Sequence, residues 1–198
     1  MITSFKNYFS DFIPRIEWGA SPSPKMTQIV QTVEGISQLP GAYLHELGHA
    51  ITAKLLYSGT ETDIRLSICG GGATELVKGF PSKIGNCLNE RTREILIQGA
   101  GPFMSLIYAT SLSTLGFYSG NPNICATLNG LAISHLGNLF IYAVKGASGN
   151  LFTQNGQTND FARLKRLGIH PIFPLMGISL VIVKVFKESF DCGLNHSI

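Results

Sequence analysis

The sequence predicts a mainly α-helical protein, a polytopic membrane bundle of about four transmembrane helices with a small β-hairpin between helices one and two. Charged residues make up only 14% of the 198 residues, whereas soluble domains average about 25%. Between residues 95 and 144 the chain carries no Asp, Glu, Lys or Arg. Since one membrane-spanning helix needs about 20 residues, this run accommodates two spans and a tight turn.

Each of the four helices has its own signal in the sequence. The apolar stretch at 36–57 predicts the first helix, with Pro40 in its first turn, where the missing N–H group costs nothing. The Gly-Asn-Pro-Asn cluster at 120–123 is a turn signal that divides the uncharged run into the second and third spans. A further uncharged run at 167–183 predicts the fourth span.

Between the first two helices, the pattern changes to the alternation of a half-buried β-strand. Ile64, Leu66 and Ile68 are apolar, and polar or charged residues separate them. Three glycines at 70–72 and a second short run at 74–78 follow. This arrangement predicts a glycine-joined β-hairpin, whose exposed edge offers an extended peptide a place to bind by strand addition.

The charge balance excludes nucleic acid as a partner. The formal net charge is only +3, and the Lys and Arg residues form no concentrated basic run. The apolar spans instead indicate a lipid bilayer, so we expect a multi-pass protein of a bacterial-type cell membrane. The cysteines form no CxxC pair and are expected to be reduced; they are Cys69, Cys87, Cys125 and Cys192.

The motif that carries chemistry is His45-Glu46-Leu47-Gly48-His49, inside the first predicted helix. Histidines four residues apart project from the same face of a helix, so both imidazoles can reach one Zn²⁺. Glu46 stands beside them and can take the proton of a water activated by the metal. HExxH also occurs by chance, but ionisable residues inside an apolar span mark a functional site. The motif therefore predicts hydrolysis of an amide bond.

A catalytic zinc site needs a third protein ligand, and three residues compete for that role. Asp160 is the carboxylate nearest the fourth predicted span. His135 lies within the third span and can face the metal or serve as a hydrogen-bonded core residue. Glu90 precedes the second span, and soluble zinc peptidases take a Glu from such a later helix, although its charged neighbours favour a solvated role. The residues alone leave this choice open.

Small residues in the second helix bear on helix packing. Gly99 and Gly101 predict a close approach between the first two helices, because residues without bulky side chains let helix backbones come together. Pro102 follows directly and is expected to kink the second helix. Plain helix packing accounts for most of these residues.

Taken together, these residues resemble the site-2 protease family of intramembrane zinc metalloproteases. The resemblance covers roughly residues 36–166 and depends on four features that occur in the same order. They are HELGHA at 45–50, the glycine-rich strand segment at 64–79, Ala-Gly-Pro at 100–102, and Asn150-Leu151-Phe152 leading to Asp160.

The resemblance implies a metal site and a reaction. His45, His49 and Asp160 correspond to the family's zinc ligands, and Glu46 corresponds to its catalytic base. Asn150 corresponds to a residue that positions the substrate or stabilises the oxyanion. The implied protein is an intramembrane zinc metalloendopeptidase that cleaves transmembrane or membrane-proximal segments of membrane proteins.

We expect the membrane-embedded metalloprotease domain at 36–187, between an N-terminal tail or interfacial segment at 1–35 and a C-terminal tail at 188–198. Two alternatives remain open. Ser105, Thr153 and Phe161 stand where the family pattern has Asn, Pro and Gly, which favours a catalytically inactive membrane scaffold of the same family. The other alternative is a soluble zincin with Glu90 as the third ligand.

Overall fold

The protein is described by a computed structural model, which covers residues 11–17, 25–67, 71–149 and 158–195 and gives the backbone alone at 17, 25–34 and 192–195. The fold is mainly helical with small β-sheets, as the sequence predicts. Along the described residues the elements are β1 (Arg15–Glu17), α1 (Lys25–Leu56), β2 (Tyr57–Ser58), β3 (Glu61–Ser67), β4 (Gly72–Val77), β5 (Phe80–Pro81), α2 (Lys83–Asn86), α3 (Glu90–Tyr118), α4 (Pro122–Ala147), α5 (Asp160–Arg166) and α6 (Ile172–Asn195).

The chain divides into two compact units, residues 1–101 and 102–198. The first unit contains the described strands, helices α1 and α2, and the beginning of α3. The second unit contains the rest of α3 together with α4, α5 and α6. Helix α3 is continuous across the boundary, and Pro102 lies inside it.

Helix α1 extends further towards the N-terminus than the sequence predicts. It begins at Lys25 instead of near Pro40, and it ends at Leu56, close to the predicted end. Pro40 is therefore an interior residue with an exposed ring, where it removes one backbone hydrogen bond. Leu39 and Tyr43, on either side of the proline, pack against the buried core of the first unit. We attribute the continuity of the helix to this packing, which offsets the lost hydrogen bond.

Strands β3 and β4 form the predicted hairpin. They pair antiparallel, with Ile64 opposite Thr74. Thr62, Ile64 and Leu66 are buried while their neighbours are partly or fully exposed, so the predicted alternation is confirmed; residues 68–70 lie outside the described residues. Strand β1 adds parallel to β3, which gives the order β1-β3-β4 and leaves β4 at the edge of this sheet. Strands β2 and β5 form a separate antiparallel pair.

Helices α3 and α4 occupy the uncharged run, and a tight turn joins them where the sequence predicts one. Gly120 has a φ of +64°, a left-handed conformation that glycine adopts readily. The side chain of Asn121 accepts a hydrogen bond from the backbone N–H of Asn123 at 2.9 Å, and Pro122 occupies the first helical position. Both helices are long and apolar enough to cross a membrane, with mean hydropathies of 1.3 and 1.4 over their apolar windows.

The fourth predicted span is shifted along the chain. Helix α6 begins at Ile172, because Gly168, at a φ of +87°, and Pro171 delay its start. It continues to Asn195, so the charged residues Lys184 and Glu188 lie within it. Over the described residues, α3 and α4 are long and apolar enough to span a membrane, whereas α1 and α6 do not combine the required length and hydropathy. A bundle of four spans is therefore not confirmed.

Small side chains allow the helices of the second unit to pack closely. A buried cluster joins α3, α4 and α6, and its members are Ala109, Ala132, Leu136 and Val185.

Cys125 in α4 is disulfide-bonded, so the prediction of reduced cysteines is wrong for this residue. A disulfide requires Cα atoms within about 7 Å, a condition that spacing along the sequence does not reveal. Cys87 is free and exposed.

Candidate metal centre

The two histidines of the HExxH motif lie on one side of α1. His45 is half-buried, and His49 is only 6% exposed. Their ring centroids lie 5.0 Å apart, and the ring planes are inclined by 73°. Because the two residues are about one helical turn apart, a regular helix brings both rings to the same side, as their spacing predicts.

A backbone carbonyl orients His49. Its Nδ1 atom lies 2.6 Å from the carbonyl oxygen of Ile97 on α3. A carbonyl can only accept a hydrogen bond, so Nδ1 carries the ring proton and donates it here. The lone pair of Nε2 is then available for a metal ion, an arrangement typical of metal-binding histidines.

Gly101, one turn beyond Ile97 on α3, faces both imidazole rings. A Cβ atom built on this glycine would lie 2.7 Å from His45 Nε2 and closer still to His49 Nε2. Both nitrogens therefore converge on a space that any side chain at residue 101 would fill, and the predicted close approach is confirmed at this glycine. The same prediction is wrong for Gly99, whose Cβ position has no described atom within 4 Å, because residues two apart point to different sides of a helix.

Glu46 lies against the hairpin. Glu46 is 7% exposed, and Thr74 Oγ1 donates a hydrogen bond to Glu46 Oε2 at 2.8 Å. The same hydroxyl lies 3.1 Å from the backbone carbonyl oxygen of Glu46. A Cβ atom at Gly72 would lie 2.7 Å from Glu46 Cγ, so the absence of a side chain there lets β4 approach the carboxylate. The hairpin thus fixes the rotation of the Glu46 carboxylate.

Asp160 is held at the first turn of α5, within the second unit. The preceding Asn159 caps this helix, since its Oδ1 accepts hydrogen bonds from the backbone N–H groups of Phe161 at 3.0 Å and Ala162 at 3.1 Å. Tyr142 on α4 contacts the same turn, because its hydroxyl accepts from the backbone N–H of Asp160 at 3.0 Å and lies 3.4 Å from Asp160 Oδ2. Asp160 is 7% exposed.

Among the described residues, His45, His49 and Asp160 form a group that can hold a metal ion. Each offers one ligand atom, and these atoms all lie within 4.8 Å of one another. Two imidazole nitrogens and one carboxylate oxygen are the three protein ligands that catalytic zinc accepts alongside an open position. The proton on His49 Nδ1 and the space over Gly101 both suit such an ion. The same donors also bind other first-row metals.

The alternative third ligands belong to α3 and α4. Glu90 is exposed at the start of α3. His135 is buried in α4, where its ring meets that of Tyr108 edge to face at a centroid distance of 5.2 Å. Neither residue belongs to the three-residue group in the described part of the chain. Asn150, for which the family resemblance implies a role in positioning the substrate or stabilising the oxyanion, lies outside the described residues.

Sequence reasoning missed several residues that support the ligands. Asn159 had a usable signal, because Asn directly before a helix is a common N-cap. Thr74 and Tyr142 had no such signal in the sequence. Thr74 bonds to Glu46 and Tyr142 bonds to Asp160, and these partners are distant in sequence and become neighbours only through packing. The role of the Ile97 carbonyl cannot be predicted from the sequence for a further reason, because every residue carries a backbone carbonyl.

Comparisons with known proteins give no relative for this chain. No protein-family model, no curated protein and no solved structure matches it. The assignment of chemistry to the site thus depends on the donor atoms, their burial and their hydrogen bonds.

Proposed function

We propose that this protein is an intramembrane zinc metalloendopeptidase of the site-2 protease type. The observation that carries the proposal is the group formed by His45, His49 and Asp160, with the buried carboxylate of Glu46 next to it in the chain. His45, His49 and Asp160 would hold a Zn²⁺ ion, which would supply a water molecule with a pKa of about 7 and polarisation of the scissile carbonyl.

Glu46 moves the proton in the proposed reaction. Thr74 holds Oε2 of this carboxylate, and we assign Oε1 as the oxygen that accepts the proton of the attacking water. The same carboxyl group then delivers that proton to the leaving amine as the C–N bond breaks. His49 keeps its own proton on Nδ1, bonded to the Ile97 carbonyl, and takes no part in this transfer.

Among the described strands only β3 pairs with β4, and the other edge of β4 is the proposed binding place for the substrate backbone. In an antiparallel ladder, hydrogen-bonded and non-hydrogen-bonded residue pairs alternate. Ser67 N–H donates to the Gly71 carbonyl, so every second residue from 71 onwards bonds to β3. The backbone groups of Gly72, Thr74 and Leu76 therefore point away from β3, and the first two of these residues also lie against Glu46. A peptide strand added at this edge would cross the proposed catalytic base.

This mode of binding fits a transmembrane or membrane-proximal substrate. A helical amide is shielded because its N–H and C=O groups bond within the helix. A segment that unwinds in a lipid environment must find new partners for those groups, and a sheet edge supplies them. The proposed substrate is therefore a membrane-protein segment that becomes extended locally.

We further propose that α1 and α6 lie in the bilayer with α3 and α4, which makes a four-span, multi-pass protein. Helix α6 is about 36 Å long at the usual rise, more than the hydrocarbon thickness of about 30 Å. A series of its apolar side chains is more than half exposed, which is typical of a lipid-facing surface. They are Ile172, Phe173, Met176, Leu180, Val183, Phe186 and Phe190.

Two charged residues of α6, Lys184 and Glu188, are compatible with this setting because they are paired. Lys184 Nζ lies 2.6 Å from Glu188 Oε1, one turn away on the same helix. Ser113 Oγ on α3 lies 2.6 Å from Glu188 Oε2. Pairing and hydrogen bonding reduce the cost of ionisable groups at membrane depth.

The deciding experiment is proteolysis by the purified full chain in vesicles, with Glu46→Gln beside the wild type. The probe is a synthetic single-pass helical peptide with an Asn-Pro pair in its apolar segment. We expect wild type with one zinc per chain to cleave it, and Glu46→Gln to keep the zinc and lose cleavage, because the amide cannot accept the proton. Glu61→Gln, at an exposed residue of β3, is the matched control and should cleave normally.

Other results would identify the alternatives. Full activity of Glu46→Gln contradicts the assignment of the base. Stoichiometric zinc with no cleavage of any membrane helix favours the inactive scaffold. Recovery of the whole protein without detergent favours a soluble zincin.

A further inference from the structure

We propose that Arg93 is a positioning residue for the metal site, which sets the register of α3 against α1 and thereby the affinity of the two histidines for metal. The inference rests on the proposed function, because it takes His45 and His49 to be metal ligands. The residues that carry it all belong to the first unit.

Helix α3 meets the segment 45–57, which comprises the end of α1 and the first residue of β2, through residues spaced four apart in each segment. On α3, positions 93, 97 and 101 lie along one face, since residues four apart are neighbours on a helix surface. The facing residues, in order, are Arg93 with Tyr57, Ile97 with His49, and Gly101 with His49 and His45. Ile97 also belongs to the same buried cluster as Ala53. Arg93 makes the first of these three contacts along α3. The second, from Ile97, orients His49, and the third, at Gly101, leaves room for the metal.

The guanidinium group of Arg93 makes three hydrogen bonds around the end of α1. Its Nη1 donates to the carbonyl oxygens of Gly85 at 2.8 Å and Leu88 at 2.7 Å. Its Nε donates to the hydroxyl of Tyr57 at 3.0 Å. The group also lies 5.3 Å from the centre of the Tyr57 ring. A planar fork with several donors suits such a set of acceptors, and an ammonium group does not.

The turn that supplies these carbonyls is itself bonded to the last residues of α1. Ser82 N–H donates to the carbonyl of Leu56 at 2.9 Å, and Ser82 Oγ donates to the carbonyl of Leu55 at 2.6 Å. A Cβ atom at Gly85 would collide with the Leu56 carbonyl, so this turn lies directly against the helix end. Arg93 therefore bonds the first turn of α3 to the C-terminus of α1.

This attachment determines where Ile97 and Gly101 fall along α1. With a rise of about 1.5 Å per residue, they lie about 6 Å and 12 Å beyond Arg93. A slip of α3 by one residue would lengthen the 2.6 Å contact between His49 Nδ1 and the Ile97 carbonyl past hydrogen-bonding distance. It would also move a side chain towards the space over Gly101, where both Nε2 atoms converge.

The test is Co²⁺ binding by the metal-free full chain in detergent, followed through the visible ligand-field spectrum. We expect Arg93→Met to weaken Co²⁺ binding tenfold or more, the usual effect of losing a group that orients a ligand, and to alter the spectrum. Arg93→Lys keeps the positive charge but loses the planar guanidinium group, and its affinity for Co²⁺ should lie between those of the wild type and Arg93→Met. Arg91→Met, at an exposed residue of the same helix, is the matched control and should bind Co²⁺ as the wild type does.

The spectrum separates this role from a purely structural one. If Arg93→Met and Arg93→Lys melt at lower temperature but bind Co²⁺ with wild-type affinity and spectrum, the inference is overturned. If Arg93→Met does not fold, the Co²⁺ affinity and spectrum of Arg93→Lys alone test the inference, and wild-type values of both would overturn it. If the wild type itself binds no Co²⁺, the proposed function fails, and that result is recognised before any variant is measured.

Discussion

At the scale of single residues, the candidate metal site depends on His49, which offers a lone pair, and on Gly101, which has no side chain to fill the space between the rings. The Ile97 carbonyl holds the proton of His49 on Nδ1 and so leaves Nε2 for a metal. Gly101 keeps clear the space towards which both Nε2 atoms point. The HExxH spacing predicts that the two rings share a face, but it says nothing of either support.

Gly101→Ala should weaken metal binding while leaving the helix intact. The added methyl group would lie 2.7 Å from His45 Nε2 and closer to His49 Nε2, so at least one ring must move. We expect a fall of tenfold or more in affinity for zinc, measured by competition with a chromophoric chelator.

Gly99→Ala provides the matched control, because no described atom lies within 4 Å of its Cβ position. Alanine is a better helix former than glycine, so this variant should bind zinc normally and gain about 0.5–1 kcal/mol in stability. Equal zinc affinity in both alanine variants would show that the space over Gly101 is not where the metal binds.

At the scale of elements, the short helix α5 depends on its first turn. Asn159 accepts from two backbone N–H groups, and its Nδ2 donates to the carbonyl of Tyr142 at 3.1 Å. Gly146 on α4 has no room for a side chain, because a Cβ atom there would lie 2.7 Å from the Cβ of Phe161. The position of Asp160 is therefore set by its neighbours on α4 as well as by its own helix.

Asn159→Ala should loosen this turn and weaken metal binding together. Loss of a cap costs about 1 kcal/mol, measured by urea unfolding, and the released Asp160 should lower zinc affinity as well. Asn159→Ser keeps a capping oxygen but loses the bond to Tyr142, so it should recover part of both losses. Unchanged zinc affinity in Asn159→Ala would argue against Asp160 as a ligand.

The elements also show where local patterns mislead. Pro40 is typical of a first turn, yet packing on both sides of it carries α1 upstream to Lys25. The uncharged run at 167–183 has the composition of a span, yet Gly168 and Pro171 displace the start of the helix to Ile172. The first boundary depends on contacts that a window of sequence does not contain, whereas the second depends on two local residues that the overall composition of the run does not reveal.

For the whole molecule, the question is whether the exposed apolar side chains face lipid. Leu180→Lys tests this on α6, where Leu180 is 68% exposed. If the position faces the bilayer core, the variant should lose about 2.5–3.5 kcal/mol of stability in vesicles. If it faces water, the change should stay within about 0.5 kcal/mol.

Ile13→Lys is the control for this measurement, because Ile13 is equally exposed, at 70%, but precedes α1 and the long helices. Its stability in the same vesicles should match the wild type. A neutral effect of Leu180→Lys beside a neutral Ile13→Lys would contradict the proposed position of α6 in the membrane.

The sequence by itself determines the helical class, the uncharged run that becomes α3 and α4, the alternation of β3, and the pairing of His45 with His49. These are local patterns, and backbone geometry converts them directly into structure. Only the tertiary structure groups Asp160 with the two histidines, and among the described residues neither Glu90 nor His135 belongs to that group. It also brings Thr74, Ile97 and Gly101 against residues of the HExxH motif. These relations link residues far apart in the chain, and their distances depend on how the elements pack, which no single segment encodes.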